Sequence, residues 1–249
     1  MKVILSENQL RQIIVVEQLV SYLSDTSLNE SIDYKKLMKK IRSALISGVA
    51  AAAIIAAIGR LDVSDNMKSR IKNEIAEMEA QISHDDSIAM HRMDSIRTEK
   101  INAVREFMNT SLKNQGFSES STKLTPDAIV DACEAENFDI PFVMAAANLE
   151  SCFGATRRAK TTNSVFSVGC YDNGQNKVTY SSQDDSVVPY IKTLKKDYLV
   201  NGKTLSDLLK PGQFVNYDGK RYASDKSYEN KINSIRNKIV KKYPILAMN

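Results

Sequence analysis

The stretch DIPFVMAAANLESCFG, residues 139–154, decides how this chain is read. Asp139-Ile140-Pro141 opens a helix, with proline tolerated in the first turn. The run beyond it is apolar and alanine-lined and stops near Gly154, so Glu150 falls in the last helical turn. A carboxylate there meets the negative end of the helix macrodipole, and its apolar neighbours desolvate it. Both effects disfavour the anion and are expected to raise its pKa. A general acid that cleaves a glycosidic bond needs this, because it must still hold a proton near neutral pH. Position alone does not single Glu150 out, since most glutamates that end helices are solvated.

The flanking residues add to it. Upstream, Thr125-Pro126-Asp127 is a second strong helix start, with a hydroxyl cap and proline in the first turn, and that helix is expected to run to about Asn137. Downstream, LESCFGATRRAKTTNSVFSVG (149–169), KVTYSSQDDSVVPYIKTL (177–194) and RYASDKSYENKI (221–232) come in order. In the first, Glu150, Ser151, Gly154, Ala159, Asn163, Phe166 and Val168 stand out. In the second they are Tyr180, Ser182 and Ser186, and in the third Tyr222, Ala223, Asp225 and Tyr228.

At these places the chain resembles the glucosaminidase family of peptidoglycan hydrolases. That family shows a helix ending in Glu-Ser-Gly-Trp-Gly, then Asn-Asn-x-Phe-Gly-Ile, a Tyr-x-Ser-x-x-x-Ser segment and a Tyr-Ala-x-Asp-x-x-Tyr ending. The resemblance implies a lysozyme-like, mainly α-helical domain with at most a small β-lobe. It implies cleavage of the β-1,4 bond between N-acetylglucosamine and N-acetylmuramic acid. Glu150 takes the general-acid position and Tyr222 lies beside the reacting sugar. Asn163, Phe166, Tyr180 and Tyr190 are expected to line the glycan groove, and core packing is the competing reading for each aromatic ring.

The chain also departs from the pattern. Cys152 and Phe153 replace Gly-Trp, and Ser167 replaces a glycine. Many members carry a second glutamate downstream, whereas no glutamate occurs between Glu150 and Glu229. Asp172 falls in the corresponding segment and is the candidate second catalytic group. Asp184 and Asp185 lie beyond it and read as turn or cap residues. A water activated by Asp172, participation of the substrate's own acetamido group, or a lytic-transglycosylase reaction leaving a 1,6-anhydro end all fit one acid. Hydrolysis is the preferred expectation. A thiol nucleophile at Cys152 is disfavoured, because this half contains no histidine to activate it.

Composition narrows the remaining classes. The 249 residues are 43% hydrophobic and 26% charged, which is ordinary for a folded chain. The net charge of +4 lies entirely in residues 123–249. It could steer an anionic polymer, but without a basic–aromatic strip or a known motif no nucleic-acid partner is expected. Three cysteines, Cys133, Cys152 and Cys170, are an odd number without metal-type spacing, so reduced thiols and no disulfide framework are expected. His84 and His91 stand alone, and no metal or cofactor is expected.

The first half reads as helical. Ser6 can cap a helix over 9–23, and a polar loop comes next. Lys35, Lys36, Lys39, Lys40 and Arg42 precede the uncharged residues 44–59. As one helix those 16 residues would span about 24 Å, short of a hydrocarbon core of roughly 30 Å. They read as a buried or Ala-rich packing helix, with membrane contact as the alternative. From Met67, the spacing Ile71, Ile75, Met78, Ile82 is a coiled-coil-like seam whose register breaks at Ser83-His84-Asp85-Asp86. Met93, Ile96, Ile101, Val104 and Met108 then continue as a helical hairpin or a stuttered long helix.

The expected organisation is a helical assembly or anchor region over 1–113, a linker over 114–123, and the lysozyme-like domain over 124–249. MKVILSENQL is not a secretory signal. The segment TNSVFSVGCYDNG (162–174) is similar to versions of this domain in phage structural proteins. The expected setting is therefore a phage particle that acts on the host cell wall. The N-terminal helices would contact other virion proteins, and the C-terminal domain peptidoglycan strands. A non-catalytic, glycan-binding or structural role is the competing class.

Overall fold

A computed structural model describes residues 34–59, 64–156, 158–168 and 178–247, together with Ile14 and Ser21. The helix expected over 9–23 lies almost wholly outside these residues. Asp172 and Cys170 lie outside them too. The chain divides into two compact units, Met1–Arg92 and Met93–Asn249.

In the first unit, α1 (Tyr34–Ile46) and α2 (Ala51–Gly59) precede the start of the long helix α3 (Asp65–Asn114). Leu37, Met38, Ile41, Ala44 and Leu45 form the inner face of α1 and pack with Val49, Ala51, Ile54, Ile58, Ile71 and Ile75. Lys35, Lys36, Lys39, Lys40 and Arg42 face outward, as an amphipathic helix requires. The single helix expected over 44–59 is therefore two. Ser47 and Gly48 end the first, Gly48 at φ 86°, where a side chain would be strained. Among the described residues no helix is long and apolar enough to cross a membrane.

Helix α3 runs unbroken through Ser83-His84-Asp85-Asp86. These residues include neither glycine nor proline, and Gln81 Nε2 donates to Asp85 Oδ1 at 2.7 Å, one turn on. The polar interruption changes which face is apolar without stopping the helix. The seam residues Ile71 and Ile75 are buried in the first unit. Ile101, Val104 and Met108 of the same helix belong to the core of the second.

The units divide within α3, at Arg92 and Met93, and not at 114–123. The reason is that 114–123, for all its loop composition, is docked. Phe117 packs on Leu112, Cys152 and Ala155. The Thr122 hydroxyl donates to the Phe153 carbonyl, and Lys123 N–H donates to Gln183 Oε1 at 2.7 Å.

The second unit is built round α5 (Ile140–Ser151), which buries every residue from Ile140 to Ala147. Its neighbours are α4 (Pro126–Ala135) and α9 (Tyr228–Lys242). Capping agrees with the sequence: Thr125 Oγ1 accepts from Ala128 N–H, and Asp139 Oδ1 accepts from Phe142 N–H at 2.6 Å. Asp139 also receives Arg236 of α9 through Nε and Nη2, at 3.1 and 2.6 Å. One carboxylate thus caps α5 and fixes the helix lying on it. Between these elements lie α6 (Ala159–Thr162), α7 (Val187–Thr193) and α8 (Leu205–Leu208). Helix α7 ends in a wide turn over Leu194–Tyr198, where Leu199 N–H reaches back to the Leu194 carbonyl at 2.9 Å. The fold is mainly α. Among the described residues the only β pairing is one antiparallel bridge, Val215 with Arg221.

Candidate active site

Glu150 stands in the last turn of α5, where the sequence put it, and is half-buried. The backbone just beyond it is unusual. Cys152, Phe153 and Gly154 are consecutive left-handed residues, with φ 49°, 56° and 87°. Phe153 N–H closes the helix on the Ala147 carbonyl at 2.9 Å. Two buried polar side chains hold this turn. Ser151 Oγ donates to the Val165 carbonyl at 2.7 Å and accepts from Gly154 N–H at 2.8 Å. Gln183 Nε2 donates to the Gly154 carbonyl at 3.0 Å, while its Oε1 accepts from Lys123 N–H. A Cβ at Gly154 would stand 2.5 Å from Gln183 Oε1, so a larger residue there would have to displace this amide from its hydrogen bonds.

The acid meets α9. Tyr228 Oη donates to Glu150 Oε1 at 2.6 Å. Tyr228 is buried, and its pKa is raised well above the usual tyrosine value, first by burial and then by the charges of Tyr222 and Glu150. It therefore stays protonated and acts as a donor. Tyr222 lies beside it, ring centroids 5.5 Å apart, and stacks on Phe214 at 4.9 Å. The Tyr222 hydroxyl donates to the Phe166 carbonyl at 2.7 Å. Glu150, Tyr228 and Tyr222 thus form one contiguous group, with Tyr228 as the link.

The remaining expected site residues are placed differently. Phe166 and Tyr190 are both 0% exposed, with rings stacked at 4.1 Å and an interplanar angle of 2°. They are core rings and present no face to a glycan; apolar stacking on each other outweighs exposure to solvent. Asn163 is a left-handed residue whose Nδ2 donates to the carbonyls of Tyr180 and Ser181, at 2.9 and 3.2 Å. It pins the returning chain. Tyr180 is half-buried, and its N–H donates to the Thr162 carbonyl at 2.9 Å.

The acidic residues sort in the same way. Asp184 accepts from Thr125 N–H and Oγ1, at 2.7 and 3.0 Å, and Asp185 accepts from Ser182 N–H at 3.0 Å. Glu229 is wholly buried and takes both of its oxygens to Arg221 Nη2, at 2.9 and 3.0 Å. Each of these carboxylates is committed to structure. Burial raises the pKa of the Cys133 and Cys152 thiols, which suppresses thiolate chemistry. No group of three or more potential metal ligands occurs among the described residues.

Nothing in the sequence gave Tyr228 a role of its own. Its signal was the closing tyrosine of the Tyr-Ala-x-Asp-x-x-Tyr pattern, six residues beyond Tyr222. Gln183 carried no signal, being one polar residue in a polar loop.

A carboxyl thus stands at a helix end, bound by a neutral tyrosine donor whose ring packs on a second tyrosine. Residues 126–241 match the model of the Glucosaminidase family, described as mannosyl-glycoprotein endo-beta-N-acetylglucosaminidase. The matched segment lies inside the second unit and indicates a glycosidase there. No curated protein matches the chain.

Proposed function

We propose that the second unit hydrolyses peptidoglycan, cutting the β-1,4 bond between N-acetylglucosamine and N-acetylmuramic acid with Glu150 as general acid. The observation that carries this reading is the Tyr228–Glu150 hydrogen bond at the end of α5. Oε1 accepts from Tyr228, and the transferable proton is assigned to Oε2. During cleavage the C1–oxygen bond breaks and the Oε2 proton passes to the departing oxygen. A water then attaches to C1 and returns a proton to Glu150, leaving a reducing end.

Asp184, Asp185 and Glu229 are held in caps and an ion pair, which supports a mechanism in which the substrate's acetamido oxygen assists departure. Asp172 is the remaining candidate for activating the water. A zymogram with purified peptidoglycan tests the reading. Clearing by wild type and none by Glu150→Gln is expected; absence of clearing by folded wild type would favour a glycan-binding or structural protein.

The proposed setting is a phage particle, with the wall opened locally during entry and the helices of the first unit contacting other virion proteins. Its support is the helical unit joined to a wall-cutting one, and the resemblance carried by 162–174. Detection of the protein in purified particles tests it, and detection in uninfected cells alone would dispose of it.

A further inference from the structure

The chain contains no tryptophan, so any ring that stacks on a sugar must come from tyrosine or phenylalanine. Among the described residues one such ring is exposed, that of Tyr217, at 64%. Every other described tyrosine or phenylalanine is buried or half-buried, Phe166 and Tyr190 included.

A single exposed apolar side chain is ordinary on a protein surface. Tyr217 differs in how its backbone is held. It lies in a short turn closed by the bridge between Val215 and Arg221. Asn216 N–H donates to the Lys220 carbonyl at 2.9 Å, and Gly219 N–H donates to the Asn216 carbonyl at 3.0 Å. Asn216 Oδ1 accepts from the N–H groups of Asp218 and Lys220, at 3.1 and 2.8 Å. Tyr217 N–H itself donates to the Asp197 carbonyl at 2.8 Å. Each backbone N–H from Asn216 to Lys220 thus has an acceptor, and the turn is fixed before anything binds.

The turn is also rooted in the aromatic group around the acid. At its base Tyr222 N–H donates to the Phe214 carbonyl at 2.9 Å, and the two rings stack. Tyr198, the neighbour of Asp197, places its ring 5.6 Å from that of Tyr222. Tyr222 packs on Tyr228, which donates to Glu150. Along the chain Tyr217 stands five residues from Tyr222, a reach of at most roughly 18 Å.

We propose that Tyr217 is a binding residue on whose ring a sugar of the glycan strand stacks, away from the bond cut at Glu150. Glycan as the ligand rests on the reading of this unit as a peptidoglycan-cutting one. A pyranose offers an apolar face of C–H bonds, which packs on an aromatic face while the sugar hydroxyls stay in water. Tyrosine suits such a wet contact, because it presents a large rigid area with two side-chain torsions to fix. The pinned turn leaves little backbone to order on binding. A contact remote from the reacting bond is made equally before and in the transition state, so it tightens binding without raising kcat.

Full-length protein tests this in two ways. In the Glu150→Gln background, co-sedimentation with purified peptidoglycan reads binding without cutting. Adding Tyr217→Ala is expected to weaken binding roughly threefold to tenfold, and adding Tyr217→Phe, which keeps the ring, to leave it within about twofold. With Glu150 intact, Tyr217→Ala should raise KM on long solubilised glycan strands by a similar factor with kcat little changed. That loss should shrink as the strands are shortened. Its Tm should stay close to that of wild type, because the side chain is exposed. Undiminished binding by Tyr217→Ala, equal weakening by Tyr217→Phe, or a loss independent of strand length would each overturn the proposal. Wild type that binds, never cuts and loses binding with Tyr217→Ala would remove the acid reading and keep this contact. Active wild type with unaffected Tyr217→Ala would remove this proposal alone, and wild type that neither binds nor cuts would remove both.

Discussion

At the scale of single residues, the site depends on one hydrogen bond and one turn. Tyr228→Phe removes the donor to Glu150 Oε1 and leaves the ring packing intact. We expect kcat to fall on the order of tenfold to a hundredfold with KM nearly unchanged, measured by steady-state release of glycan fragments. Gly154→Ala is expected to be harsher on stability. It strains a residue at φ 87° and drives a Cβ into Gln183, at a combined cost of about 2–4 kcal/mol, read from the denaturation midpoint. The place of Glu150 in the last turn of α5 was legible in the sequence, because the apolar run that forms this helix stops near Gly154. Phe166 and Tyr190 were not, since a ring that stacks on a sugar and a ring that stacks in a core look alike on paper. Only burial separates them. Gln183 was illegible for a related reason: it acts through backbone groups of 123 and 154, and no pattern of side chains records that.

At the scale of elements, the segment carrying both tyrosines is tied down by charge. Arg221 and Glu229 pair beneath it, and Phe214 N–H adds a third hydrogen bond to Glu229. Arg221→Met leaves a wholly buried carboxylate without its cation. This is expected to cost about 3 kcal/mol in urea unfolding, at the lower end of the range because Arg221 keeps some solvent contact. The start of α9 carries a pH-sensitive contact. Asp225 accepts from Lys231 Nζ at 2.6 Å and from Ser227 Oγ at 2.7 Å, and Lys231 above all holds its pKa below the usual carboxylate range. A depressed folded pKa gives stability that is present above the unfolded value and lost as pH falls through the folded one. The Tm advantage of wild type over Asp225→Asn should therefore be full at neutral pH and shrink on acidification below the ordinary aspartate range. An advantage that grew in acid would contradict the contact. The starts of α4 and α5 were readable, because Thr125-Pro126 and Asp139-Ile140-Pro141 announce caps chemically. The break inside 44–59 was hidden. Alanine and isoleucine permit helix on both sides of Gly48, and tertiary packing decides where the chain turns.

At the scale of the molecule, each unit has its own apolar core, one drawing on Ile71 and Ile75 of α3 and the other on Ile101, Val104 and Met108. Residues 93–249, expressed alone, should unfold in one cooperative transition and keep the glycosidase activity, because every residue of the acid site lies within that unit. Loss of folding in that piece would show that the units share stability. The composition of 114–123 suggested a linker, but hydrogen bonds from Thr122 and Lys123 bind it to the site's own turn. Loop composition reports local backbone freedom, and docking is a property of the whole unit. In the proposed reaction Glu150 donates the proton that breaks a glycan bond. Mass spectrometry of fragments released from purified peptidoglycan by wild type and by Glu150→Gln tests it most directly. Wild type should release fragments ending in reducing N-acetylglucosamine, and the variant none. Equal release by both, or no release by folded wild type, would contradict it.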